Sequence, residues 1–171
     1  MDVERGRPVV VVMGVSGSGK TTVGRLLALS LGVEYADGDA FHPSENVAKM
    51  TSGRPLDDED RRHWLDTVAE WIEERLRNGR GGVVSCSALK RRYRDVLRRA
   101  GSGVWFLQLD VDLETIEARV AERTGHFMPV SLVESQFAML EPLGSDERGV
   151  IVDARPAPEE TAENAAALLA E

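Results

Sequence analysis

The segment Gly14-Val15-Ser16-Gly17-Ser18-Gly19-Lys20-Thr21 constrains this chain more than any other. It satisfies every fixed position of the pattern G-x-x-x-x-G-K-[ST] and stands between two stretches of different periodicity. Before it, Val9–Met13 is a continuous apolar run, the pattern of a strand buried on both faces of a parallel sheet. After it, Val23, Leu26, Leu27 and Leu31 recur at helical spacing until Gly32, which predicts a helix over 20–31. A strand, a glycine-rich turn and a helix in that order predict a phosphate-binding loop. Gly14, Gly17 and Gly19 let successive backbone N–H groups converge on phosphate oxygens, and the helix N-terminus adds partial positive charge. Lys20 is placed to reach the β- and γ-phosphates of ATP, and the Thr21 hydroxyl to ligate Mg²⁺. Ser16, Ser18 and Thr22 belong to the same nucleotide-binding stretch.

The rest of the chain alternates between the two periods. Short strands are predicted at 33–36, 82–85, 104–109 and 149–152. Between them, Ser44–Met50 fits a short helix. Asp57 or Asp58 caps a longer one whose apolar face is Trp64, Leu65, Val68, Ile72 and Leu76. A basic helix is expected from about Leu89 to Ala100, and Asp112 opens another carrying Leu113, Ile116 and Val120. Gly125–Pro129 interrupts the pattern, and Ser131 with Glu134 has the spacing of a capping box opening the next helix. An alanine-rich helix closes the chain from Glu159. This alternation predicts a single domain over 1–171, a three-layer α/β/α fold around a mostly parallel five-stranded sheet.

Composition narrows the function classes. The 171 residues are 42% apolar and 29% charged, with a net charge of −8, which disfavours nucleic acid and anionic membranes as partners. Cys86 is the only cysteine, so neither an intrachain disulfide nor a cysteine-rich zinc site can form. It reads as a small buried residue rather than a nucleophile. No apolar run approaches the roughly 18–20 residues of a membrane span, and Val9–Met13 is too short for a signal-peptide core. The expected location is the cytoplasm. None of Asn46, Asn78 and Asn164 is followed by lysine, so the guanine-reading Asn-Lys-x-Asp sequence of a GTP switch is missing. The strand at 82–85 runs into Cys86-Ser87 without the carboxylate of a motor ATPase. Acids stand instead at Asp37 and Asp39, and that favours a compact small-molecule kinase. Two carboxylates at this spacing can divide two tasks, one holding Mg²⁺ through water and the other accepting a hydrogen bond or proton from the attacking hydroxyl.

From Ala36 through Asp37-Gly38-Asp39, His42, Asn46, Lys49 and Gly53-Arg54-Pro55-Leu56, the chain resembles the gluconate kinase (gluconokinase) family. The likeness continues through Asp60-Arg61, Trp64-Leu65, Ser85–Arg98, Arg119–Pro129, Ser135-Gln136-Phe137 and Leu140-Glu141-Pro142. One departure is Phe41, where leucine is expected. The resemblance implies ATP- and Mg²⁺-dependent phosphorylation of D-gluconate to 6-phospho-D-gluconate, feeding sugar-acid and pentose phosphate metabolism, in a homodimer related to shikimate and adenylate kinases, with Asp39 facing the C6 hydroxyl and Asp37 as the outer-sphere Mg²⁺ partner. Gluconate has a carboxylate at one end and hydroxyls along its length, so its site needs cations and mixed hydrogen-bonding groups. His42, Lys49, Arg54, Lys90, Arg94 and His126 are the residues expected there, with Arg92 and Arg99 in solvent. The family further implies a lid at about 119–140, with Arg119 over the adenine and Arg123 meeting the phosphates. Lys20, Asp39 and Arg123 are the expected catalytic residues, and the loop 153–156 is expected to border the adenine.

Overall fold

The structure, a computed structural model, describes residues 7–122 and 130–170, so Arg123 and His126 lie outside the described residues. Five strands form one sheet: β1 (Val9–Met13), β2 (Tyr35–Asp37), β3 (Gly82–Ser85), β4 (Val104–Asp110) and β5 (Gly149–Asp153). Among the described residues they are joined by α1 (Lys20–Leu31), α2 (Ser44–Thr51), α3 (Asp58–Arg77), α4 (Arg91–Arg98), α5 (Leu113–Glu122), α6 (Val130–Met139) and α7 (Pro158–Leu169). The strand order is β2-β3-β1-β4-β5, and every pairing is parallel. All five residues of central β1 are buried, as its unbroken apolar run requires.

Alternate side chains of a strand face opposite ways, so β1 supplies two cores. Val10 and Val12 pack with Val23 and Leu27 of α1 and with Ala162 and Ala165 of α7. Val9, Val11 and Met13 pack with Trp64, Leu65, Val68 and Ile72 of α3 and with Tyr93 and Leu97 of α4. Helices thus cover both faces, which makes the three-layer α/β/α architecture expected from the alternating pattern. The carboxyl ends of the strands, where ligands gather in such sheets, carry the phosphate loop after β1 and the Asp37 turn after β2.

Most predicted boundaries hold, and the exceptions have local causes. β2 starts at Tyr35 because the Val33 N–H is still donating to the Ala28 carbonyl at the C-terminal end of α1. Asp57, not Asp58, caps α3, and it exchanges hydrogen bonds with Asp60 in a capping box. α6 begins at Val130, so Ser131 lies inside it rather than ahead of it. The basic helix α4 begins only at Arg91. Ala88 has φ 42°, the one positive value at a non-glycine among the described residues, and Lys90 is still extended.

That late start reverses one expectation. Arg94 does not face substrate: it is fully buried. Its guanidinium forms two parallel bonds to Glu147, Nε to Oε1 at 2.7 Å and Nη2 to Oε2 at 3.0 Å. Nη1 donates to the Ala88 and Leu89 carbonyls at 3.0 and 3.4 Å. Arg98 and the Gly144 N–H also donate to Glu147. Lys90 itself precedes the helix. Arg94 instead holds the Ala88 turn from beneath. Burial alone would raise the Glu147 carboxyl, but the bonds from Arg94, Gly144 and Arg98 outweigh it and hold the group down at about 2.

Removing one partner of such a pair strands a buried charge, so Glu147→Ala should lower unfolding stability by about 3–5 kcal/mol in urea titrations. A loss within the range of exposed ion pairs, about 1 kcal/mol or less, would contradict this role. The folded carboxyl titrates below its ordinary value, so its stabilisation is complete above the unfolded pKa and disappears as pH falls through about 2. Glu147→Gln should therefore flatten the acid limb of the stability profile.

Candidate active site

The donor side is built mainly from backbone. Gly14 has φ 152°, and a Cβ there would lie 2.9 Å from Ser18 Oγ and 3.2 Å from the Leu109 carbonyl oxygen, so only glycine fits. Gly19 is the left-handed residue from which α1 starts. No acidic residue stands in the first turn of α1, so the helix N-terminus keeps its attraction for anions. Thr21 and Thr22 are exposed at this end. Ser18 Oγ is buried and without a hydrogen-bond partner, a polar atom inside a cradle suited to a polar ligand. The Lys20 ammonium donates to the carbonyls of Gly14 and Val15 at 2.9 and 3.0 Å. Burial lowers its pKa, and the facing charges of Asp39 and Asp37 oppose that shift. Glycine backbone, an uncommitted hydroxyl and a lysine held by neutral carbonyls all fit a nucleotide triphosphate.

Arg119, on α5, ties this loop to the segment after β5. Its Nη1 donates to the Ser18 carbonyl at 3.2 Å, and its Nη2 lies on the carbonyls of Ala154, Arg155 and Pro156. Asp110, Val111, Asp112 and Arg155 line a cavity of about 220 Å³ beside that segment. Arg119 therefore joins the phosphate loop to the 153–156 loop expected at the adenine.

The acceptor side is built from side chains. Asp37 ends β2 and accepts a bond from the Asp39 N–H at 3.0 Å, which caps a short 3₁₀ turn at Gly38–Phe41. A Cβ on Gly38 would sit 2.1 Å from the Ser85 carbonyl oxygen, so glycine alone allows this turn to lie against β3. The Trp64 indole N–H then donates to the Gly38 carbonyl at 2.7 Å. Asp39 is left exposed, near enough to Lys20 and His42 to act on both charges.

His42 stacks on Trp64, with ring centroids 4.2 Å apart. Asn46 gives one amide hydrogen to the Asp60 carbonyl at 3.0 Å and faces His42 Nδ1 at 3.3 Å with the same nitrogen. Backbone carbonyls only accept, so this nitrogen is the NH₂ group, Nδ1 is the acceptor and Nε2 carries the ring proton. Burial lowers the His42 pKa, Asp39 opposes the shift and Arg61 adds to it. The ring is a neutral Nε2–H donor near neutral pH.

The cations differ in availability. Lys49 is paired with Asp60 at 2.7 Å, and that bond raises its pKa. Its charge braces the start of α3. Arg54 is exposed, and the Lys90 ammonium lies 5.7 Å from the centre of the Tyr93 ring. Arg92 pairs with Asp58 at 2.7 Å on the surface, and Arg99 is exposed, as expected. Arg61 emerges as a residue given no role by sequence reading. It donates to the Tyr93 hydroxyl at 3.1 Å, and its charge acts on His42. Its signal was faint, one arginine in a charged first turn. Cys86 is buried, and burial pushes its thiol up to about 12, so it is no nucleophile. Among the described residues no cluster of three His, Cys, Asp or Glu could hold a metal ion. Mg²⁺ needs none, since it keeps most of its waters and takes one or two protein oxygens such as those of Thr21 and Asp37.

Comparison with known proteins extends the resemblance. A family model described as shikimate kinase matches residues 16–166. The gluconokinase of Gluconobacter oxydans (strain 621H) is 46% identical over 150 residues, covering 88% of this chain and 84% of the relative. The thermosensitive gluconokinase of Escherichia coli (strain K12) is 46% identical over 141 residues, covering 82% and 75%. A crystal structure of a gluconokinase from Sinorhizobium meliloti 1021 superposes with a TM-score of 0.88 at 44% identity, covering 97% of this chain and 93% of that one. A phosphate loop facing a paired-acid turn, on a chain matched over most of its length, places this protein in the shikimate kinase family of P-loop kinases, among the gluconokinases.

Proposed function

We infer that this chain transfers the γ-phosphoryl group of ATP to the C6 hydroxyl of D-gluconate, giving 6-phospho-D-gluconate and ADP. The observation that carries the reading is Asp39, exposed on a turn pinned by Trp64, with its charge acting on Lys20 of the phosphate loop. The C6 oxygen attacks the γ-phosphorus, the bond from that phosphorus to the β–γ bridging oxygen breaks, and the hydroxyl proton passes to Asp39. The transition state is loose, so Asp39 acts first by orienting the hydroxyl and accepts the proton late. Lys20 leaves its carbonyl partners for the phosphates and follows the migrating charge.

Bound Mg²⁺ neutralises charge on the β- and γ-phosphates. We assign Thr21 and Asp37 to hold it, and Gly14, Ser16, Gly17, Ser18, Gly19 and Thr22 to cradle the phosphates. On the acceptor, the neutral His42 ring donates from Nε2 to a hydroxyl. Lys90 and Arg54, with Arg61 in support, answer the carboxylate. Lys49 contributes by holding Asp60, the residue whose backbone carbonyl orients Asn46. Arg119 serves the nucleotide side. For Arg123 and His126 the family resemblance alone supports phosphate and substrate roles, within a lid at about 119–140 of one kinase domain. It is also what supports a homodimer, while the cytoplasmic location rests on the absence of a membrane-spanning or signal-like apolar run in the sequence. Among the described residues no helix is long and apolar enough to cross a membrane.

A coupled ADP-release assay over gluconate, other sugar acids, shikimate and nucleoside monophosphates should give acceptor-dependent turnover with gluconate. ADP release that ignores gluconate would overturn the reading. Asp39→Asn should lower kcat by about 10²-fold while ATP affinity stays within about threefold. Undiminished turnover would remove Asp39 from the reaction.

A further inference from the structure

Among the described residues, the phosphate loop has one side-chain partner from a distant element that the reaction so far leaves without a task. Gln136 of α6 reaches Ser16 with both ends of its carboxamide. The Ser16 N–H donates to Oε1 at 2.6 Å, and Nε2 donates to Ser16 Oγ at 2.8 Å. The orientation of the amide is fixed by chemistry. A backbone N–H can only donate, so the atom it meets is the carbonyl oxygen, and the NH₂ group then faces the hydroxyl.

This pairing decides what Ser16 can still do. Its backbone N–H is committed to Gln136. Its Oγ accepts from Nε2, so the hydroxyl proton cannot lie along that same contact and remains a donor directed elsewhere. Ser16 sits between Val15, whose carbonyl holds the Lys20 ammonium, and Gly17 in the loop. We propose that Gln136 is a positioning residue for phosphoryl transfer: it fixes Ser16 so that the hydroxyl presents its proton to the transferring phosphoryl group. The proposal rests on the reading of 14–21 as the ATP site. The reaction moves negative charge onto the phosphoryl oxygens and the departing ADP, so a fixed donor there acts more strongly in the transition state than in the ground state. The effect belongs in kcat rather than in ATP affinity.

The test compares wild type with Gln136→Ala, Ser16→Ala, the double variant and Gln136→Glu. Thermal unfolding checks that each is folded, equilibrium titration gives ATP affinity, and gluconate-dependent ADP release gives kcat and KM. Gln136→Ala should lower kcat about tenfold, the scale of one hydrogen bond to a charged group, with ATP affinity and gluconate KM within about threefold. Ser16→Ala should show the same loss, and the double variant should be no worse than either single, because the two residues act as one unit. Gln136→Glu preserves shape and still accepts from the Ser16 N–H. It accepts at both oxygens, however, so it captures the Ser16 hydroxyl proton and should be at least as slow as Gln136→Ala. A packing role would instead be rescued by this isosteric change. Wild-type kcat in Gln136→Glu, or losses that multiply in the double variant, would overturn the proposal. If Gln136→Ala does not fold, Ser16→Ala and Gln136→Glu decide it. If wild type binds ATP but never uses gluconate, the substrate reading fails, and the same four variants are then compared with the acceptor it does use.

Discussion

The hydrogen bond from the Trp64 indole to the Gly38 carbonyl holds the acceptor side of this protein together. It joins the long helix α3 to a turn that touches the sheet so closely that no Cβ fits. The same indole is the platform on which His42 stacks. Through Asn46 that histidine is tied to the Asp60 carbonyl, and Asp60 is at once the capping partner of Asp57 and the counter-ion of Lys49. One buried aromatic with a polar edge thus fixes the turn carrying Asp37 and Asp39, the ring beside it and the entry of α3. An indole suits the task because its apolar body belongs to the core while its N–H needs a partner there.

Among the described residues, Lys49, Arg75, Arg91, Arg92, Arg94, Arg98 and Arg155 are ion-paired with carboxylates. Most paired arginines and lysines meet carboxylates on the surface, as in Arg91 with Asp146, Arg92 with Asp58 and Arg75 with Glu34. Such exposed pairs add little to stability, about 0–1 kcal/mol each. Their consequence is local neutrality in an acidic chain. Lys20 differs, because its hydrogen-bond partners are neutral carbonyls. Leaving them for a phosphate breaks no ion pair, and the incoming anion meets a charge already partly stripped of water. Arg94 is the opposite case, a cation wholly consumed by Glu147 and the two carbonyls around the Ala88 turn.

How much of this was legible in the sequence follows from how local each cause is. β1, α1 and β3 matched their predicted limits because an apolar run, a helical stripe and a closing glycine are contained within the segments themselves. The places of Lys20, Asp37 and Asp39 in the fold were readable for the same reason, being fixed by short motifs beside predicted strand ends. Arg94 was not. Its burial depends on a carboxylate 53 residues further along and on a left-handed alanine that composition does not announce. Gln136 was visible as part of the family likeness, yet its contact with Ser16 spans 120 residues and leaves no periodic trace. Trp64 read simply as core, since the hydrophobic stripe of α3 accounts for it and the need of its N–H is silent in a pattern of apolar positions.

The two halves of the site are therefore built by different means, and this bears on how specificity is divided. The donor side relies on backbone N–H groups, glycine geometry and a helix end, which recognise phosphate whatever molecule carries the accepting hydroxyl. The acceptor side as proposed relies on side chains, of which His42 is held by Trp64 and Asn46, and Arg61 by Tyr93. Side chains there can be exchanged without disturbing the cradle, provided Trp64 still holds the Gly38 turn. The two halves are linked electrically, because the charge of Asp39 acts on Lys20 and opposes the effect of its burial.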